Sequence, residues 1–213
     1  MKMTKRRRIS LTIFLGIMSA MAPLATDMYL PALPELSAEF SASTSATQLT
    51  LTMTLLGMAV GQIFLGPLSD MYGRRRPLFF GMVAFAIVSA GCFYASSIEP
   101  FLALRFLQGF AGASGIVIAR AIARDAAEGV ELTRFLSILM LVNGLAPILA
   151  PVAGGQLLVF SSWRIVFAVL AIGVSMLMAM LGQHPTIRAA VVDSINSLLP
   201  GVIDTGDGKG LVS

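Results

Sequence analysis

Charge is what this sequence has least of. Only 12% of its 213 residues are charged, whereas 56% are hydrophobic. A soluble domain of this length carries about 25% charged residues, which its water-facing surface needs. The hydrophobic surplus here must therefore face lipid. Cysteine occurs once, at Cys92, so no intrachain disulfide is possible, and its apolar surroundings make it a small packing residue. Histidine occurs once, at His184, outside every apolar run. This excludes a histidine metal site or a Ser-His mechanism inside a membrane, and the pattern H-E-x-x-H is absent as well. Lys2, Lys5, Arg6, Arg7 and Arg8 open the chain in the manner of a secretory signal, but no small-residue cleavage site follows at the right distance. The opening is read as an uncleaved first span. The net charge of +4 does not indicate nucleic acid, because the basic residues cluster at the ends of apolar runs rather than along one polar face.

What the chain has in abundance is long apolar runs. A membrane-crossing helix needs about 20 mostly apolar residues. Six stretches qualify, at 9–30, 48–68, 78–96, 101–123, 135–160 and 165–182. The expected fold is an all-α integral membrane bundle of six helices over 1–182, with short connections and antiparallel neighbours. Lys/Arg excess marks cytoplasmic loops. The N-terminal cluster, Arg74, Arg75 and Arg76 fall on one side, as do Arg120, Arg124 and Arg134, offset by Asp125, Glu128 and Glu131. The other side shows Glu35, Glu39 and Glu99 with Arg164 as its one basic residue. Both termini are then expected in the cytoplasm. The tail over 183–213 mixes Asp193, Asp204, Asp207 and several glycines, contains no seventh span, and is expected to be poorly ordered. Its GDGKG stretch at 206–210 lacks the Gly-Lys-Ser/Thr ending and the preceding strand of a phosphate loop.

Two charges fall inside apolar runs. Asp27 lies three residues before the outer end of the first run, and Arg105 lies four residues inside the outer start of the fourth. Both then sit on the order of 5 Å below the outer interface. Such residues usually face a cavity or a partner, and equal depth leads us to expect that they approach each other, directly or through water. The alternative is that both snorkel to the headgroups; arginine has the reach and aspartate does not.

Small residues form a second pattern. Gly57 and Gly61 make a GxxxG pair, and Gly109, Gly112 and Gly115 recur every three residues. These spacings let helix backbones approach closely. The fifth run carries Gly144, Pro147, Pro151, Gly154 and Gly155 and is expected to be bent and closely packed, as a moving part would be. In the loop at 66–77, Gly66 is expected to permit tight approach, Gly73 a sharp turn, and Asp70 to pair with Arg74.

These stretches together resemble the major facilitator superfamily, and within it the drug:proton antiporters of the Bcr/CflA type. The stretch at 66–75 is similar to the superfamily signature G-x-L-x-D-x-x-G-R-R/K, matching at Gly66, Leu68, Asp70, Gly73, Arg74 and Arg75. LRFLQG at 104–109 resembles the helix-four motif with its membrane arginine, NGLAPILAPVAGG at 143–155 resembles the antiporter motif, and TDMYLPALP at 26–34 is similar to a stretch of the Bcr/CflA exporters. The resemblance covers roughly 8–182. It implies export of amphipathic antibiotics (bicyclomycin, sulfonamides and phenicols are substrates in the group) against proton entry, with no cofactor, in the bacterial inner membrane. It implies that Asp27, Tyr29, Arg105 and Gln108 serve proton coupling and the substrate cavity. It places Gly66, Asp70, Gly73, Arg74, Arg75 and Asp125 in a cytoplasmic gate, and Gly144, Pro147, Pro151, Gly154 and Gly155 in a bend that gives antiport its direction. The partners implied are membrane lipid, drug and protons.

Family members have two six-helix halves with the site between them, and this chain has one. The Glu-Thr-Leu stretch often seen after helix six is missing. Two explanations stand open: a frameshifted or truncated reading frame that no longer transports, or a half that pairs with a second half or with itself.

Overall fold

The computed structural model describes residues 5–183. Among them the chain is helical throughout its regular structure: α1 (Lys5–Asp27), a 3-10 turn (Leu30–Ala32), α2 (Leu33–Glu39), α3 (Thr44–Met71), α4 (Arg75–Phe93), α5 (Ile98–Ala126), α6 (Gly129–Phe160) and α7 (Arg164–Gln183). Five segments are long and apolar enough to cross a membrane, and Arg164–Met180 of α7 is a shorter apolar helix. The expected bundle is therefore α1 and α3 to α7. His184 and the rest of the tail, with its GDGKG stretch, lie outside the described residues.

Two local expectations are corrected. The first span stops at Asp27 instead of running to residue 30. Pro31 and Pro34 then sit in the opening turns of the 3-10 segment and of α2, where a missing N–H costs nothing and the fixed φ suits helix initiation. The signature stretch at 66–77 is not all loop. Its first half, through Met71, continues α3, with Pro67 inside the helix. The chain reverses only at Gly73, whose φ of +78° is the left-handed conformation that glycine adopts without strain. At the other end of α3, Ser43 caps the helix, its Oγ accepting from the Ala46 N–H at 3.2 Å.

Helix α5 is the spine. It packs along α3 and also against α4 and α1; α1 in turn packs on α6, and α4 on α7. Small residues make the α3–α5 seam. A Cβ on Gly57 would run into the Phe106 carbonyl oxygen, one on Gly61 would lie 2.6 Å from that of Phe110, and one on Gly109 would strike that of Thr54. Gly115 plays the same part against the Met18 carbonyl of α1. Threonines fill the rest of the seam. Thr47, Thr50 and Thr54 are buried, and each donates its hydroxyl to a carbonyl three or four residues earlier at 2.6–3.1 Å, so no polar group is orphaned where lipid cannot satisfy it. Gly81, which showed no repeat in the sequence, holds α4 equally close to Ser114 of α5. Gly66 does not fit its expected role: a Cβ there would meet Val117 at an ordinary 3.7 Å. Cys92 is fully buried in the apolar core, as expected of a packing residue.

Candidate functional site

Seven residues along α5 from its start at Ile98, Arg105 is fully buried. At 1.5 Å per residue this is about 10 Å into the helix, deeper than the sequence placed it. Its Nη1 donates to the Ala25 carbonyl at 3.0 Å and to the Gln108 amide oxygen. The guanidinium lies 4.3 Å from the Tyr29 ring centroid and 5.5 Å from that of Phe167, a cation–π setting strengthened by desolvation. Gln108 is also fully buried and passes the chain on, its Nε2 donating to Ser89 Oγ at 2.7 Å. The Tyr29 hydroxyl shares a hydrogen bond with Thr50. Three of the four residues named for the cavity thus meet: Tyr29, Arg105 and Gln108. Ser89, Thr50 and Phe167 complete the cluster and were not visible as site residues; a serine, threonine or phenylalanine in an apolar run carries no signal of its partner across the bundle.

Asp27 does not join them directly. It has no ion pair or hydrogen bond among the described residues, and it is half-buried. Helix phase explains why. Asp27 follows Ala25 by two residues, about 200° around the axis. Ala25 is turned into the core and its carbonyl meets Arg105. Asp27 therefore points away from the side of the helix on which Ala25 lies, and is half-buried. Of the approach expected, directly or through water, the direct contact is not made, and Arg105 has no acidic partner among the described residues. Two of its donors, Nε and Nη2, have no hydrogen-bond partner among the described residues.

A second cluster closes the far end of α3 and α5. Arg74 donates through Nε to Asp125 at 2.9 Å and through Nη1 to Ser69 Oγ at 2.9 Å and to Asp70. The Asp70–Arg74 pairing and the link to Asp125 stand as expected; Ser69 is an addition. Burial alone would lower the Arg74 pKa, but the hydrogen bonds and charges of Asp125 and Asp70 outweigh it and push the group up from its already high value. The two acids are not equivalent. The Asp125 side chain is 13% exposed and that of Asp70 63%. Asp125→Asn should cost about 1.5–3 kcal/mol, the range for a hydrogen bond to a charged group. Asp70→Asn should cost less than about 1 kcal/mol, as exposed ion pairs do. Thermal unfolding in detergent micelles ranks the two; equal losses would contradict this reading.

With these two clusters placed, comparison with known proteins decides the family. The family model described as Major Facilitator Superfamily matches residues 15–190. The chain belongs to the Major Facilitator Superfamily. Among similar curated relatives, an uncharacterized MFS-type transporter, YdgK of Bacillus subtilis, is 43% identical over 171 residues, covering 79% of this chain and 42% of the relative. A bicyclomycin resistance protein homolog of Haemophilus influenzae is 38% identical over 158 residues, covering 74% and 40%. A chloramphenicol resistance protein of Pseudomonas aeruginosa is 36% identical over 162 residues, covering 76% and 39%. The chain spans about two fifths of the length of these relatives. As a superfamily member with several apolar spans, it is a multi-pass membrane protein.

In this superfamily member the antiporter-like stretch occupies the middle of α6, which runs through Pro147 and Pro151 as one helix. Its packing is one-sided. Ala146, Ala150 and Gly154 are buried at four-residue spacing, and a Cβ on Gly154 would collide with the Met28 carbonyl just past α1. Asn143 ties the same pair of helices by donating to Ser19 Oγ at 3.0 Å. Gly144 and Gly155 have open space around them and Pro147 is exposed. The expectation of close packing holds for Gly154 and not for the other two glycines. At the α2 end, Glu39 accepts from Trp163 Nε1 at 2.5 Å and pairs with Arg164, which also donates to the Ala95 carbonyl at 2.7 Å. Among groups of acidic, histidine and cysteine side chains in the described residues, none has the makings of a metal site.

Proposed function

We propose that these helices form one wall of a drug:proton antiporter of the Bcr/CflA type, working in a bacterial inner membrane with both termini cytoplasmic and needing no cofactor. The reading makes the chain a carrier and not an enzyme. Asp27 takes up and releases the proton, and Arg105, with Tyr29 and Gln108, lines the base of the cavity. A carboxylate that alternates between a low-dielectric cavity and water can gain and lose a proton in each cycle, so that drug and proton compete for one site. The Arg74–Asp70–Asp125 cluster, with Gly66, Gly73 and Arg75, forms the cytoplasmic gate, and Gly144, Pro147, Pro151, Gly154 and Gly155 the element that directs exchange.

The observation that carries this is the buried Arg105, which among the described residues has no acidic partner and two donors without acceptors. A charge kept in a membrane bundle at such cost marks a pathway by default. A second observation favours a second six-helix unit opposite this one. Gln48, Thr52 and Gln62 are exposed on α3, and Asp27 at the end of α1 is only half-buried. Lipid cannot satisfy such groups. The names of the relatives, resistance proteins for bicyclomycin and chloramphenicol, support an amphipathic antibiotic as cargo.

Expression in a pump-deficient bacterium tests the proposal. Drug tolerance should rise, an uncoupler should abolish the rise, and Asp27→Asn should abolish it with the protein still in the membrane. Unchanged tolerance in that mutant would refute the assignment.

A further inference from the structure

An open groove of about 560 Å³ runs between α4 and α7, lined by Ala86, Ile87 and Ala90 on one side and by Ala171, Ser175 and Ala179 on the other. Its lining is almost wholly apolar, and the small residues leave room for a slim chain. The described residues put nothing in it.

The end of α4 nearest Arg74 supplies a charge for this groove. Arg75 and Arg76 are exposed and, unlike Arg74, have no ion-pair partner among the described residues. Ala86 follows Arg75 by eleven residues and Ile87 follows Arg76 by eleven. Eleven residues are about three turns, so each arginine stands in the same row as a groove residue, about 16 Å along the helix. Half of a bilayer's hydrocarbon thickness is about 15 Å. An acyl chain whose headgroup sits at the arginines therefore ends in the groove. Between the two lie Phe79 and Phe80, both exposed and packed edge to face at 5.8 Å, an apolar surface along which the chain runs.

We propose that this face is a binding site for one anionic phospholipid, its phosphate on Arg75 and Arg76 and one acyl chain in the α4–α7 groove. Two guanidinium groups recognise a phosphate by charge-assisted hydrogen bonds, and basic clusters beside transmembrane helices select anionic headgroups. The arginines and the groove are one lipid leaflet apart, the reach of a single phospholipid, which favours a phosphate-bearing lipid over a second copy of the chain.

Native mass spectrometry of the full chain in detergent, titrated with phosphatidylglycerol and with phosphatidylcholine of the same acyl chains, tests this. Phosphatidylglycerol should bind more tightly. Arg75→Gln and Arg76→Gln should each weaken it about fivefold, whereas the double lysine variant should bind within about twofold of the parent by keeping both charges. Ser175→Phe or Ala179→Phe, which fill the groove, should weaken long-chain phosphatidylglycerol with both arginines intact. Equal binding of the two lipids, glutamine variants that bind like the parent, or filled grooves that bind undiminished would each overturn the proposal. So would a dimer that the filled groove dissociates while lipid binding stays unchanged.

Discussion

Arg105→Met is expected to make the protein more stable and to abolish transport. The arginine is fully buried and, among the described residues, has no acidic partner and no acceptors for Nε and Nη2. Desolvating an ion costs several kcal/mol, and replacing buried ions by apolar side chains of similar volume is often neutral or stabilising by about 1–4 kcal/mol. Methionine fits the space and keeps favourable contact with the Tyr29 and Phe167 rings. That range is net of the interactions lost, here the bonds to the Ala25 carbonyl and Gln108 and the contacts with the two rings. A net gain of about 1–2 kcal/mol is expected, read as a higher midpoint of thermal unfolding in detergent. Loss of drug tolerance in the same variant would identify Arg105 as a functional charge held against stability. A clear drop in the midpoint would instead make it a structural keystone.

Gly109→Leu is expected to have the largest effect on folding. A Cβ at this position strikes the Thr54 carbonyl of α3, with the backbone nitrogen of Met58 3.0 Å away. Both obstacles are backbone, so no side chain can rotate out of the way, and the α3–α5 seam must open. Overpacking typically costs about 1–3 kcal/mol where side chains can adjust, and more than about 4 kcal/mol is expected where they cannot. The variant should yield little monodisperse protein after detergent extraction. Gly144→Ala is the control. It has open space around it, and alanine favours a helix by up to about 1 kcal/mol over glycine. Equal yields from Gly109→Leu and the parent would contradict the seam.

Features that local chemistry decides were legible in the sequence. Apolar runs mark the spans, Gly57, Gly61 and Gly109 mark the seam, and Asp70 and Arg74, four residues apart across the Gly73 turn, pair. Features that depend on how helices rotate against one another were not. Depth alone placed Asp27 beside Arg105. The 200° between Asp27 and Ala25 separates them, and a span boundary displaced by Pro31 hides that phase. The partners of the buried cation are a backbone carbonyl, two aromatic faces and, through Gln108, a serine from α4. None of these announces itself in a run of apolar letters. The open space around Gly144 and Gly155 beside a buried Gly154 has the same origin, since one helix face meets α1 and the other does not.

Proton release on drug binding tests the central claim most directly. Purified protein in weakly buffered solution, near neutral pH, should release protons when bicyclomycin or chloramphenicol is added, and Asp27→Asn should bind the drug with no release. Release of equal size from the parent and from Asp27→Asn, or binding by the parent with no release at all, would contradict competition between drug and proton at Asp27.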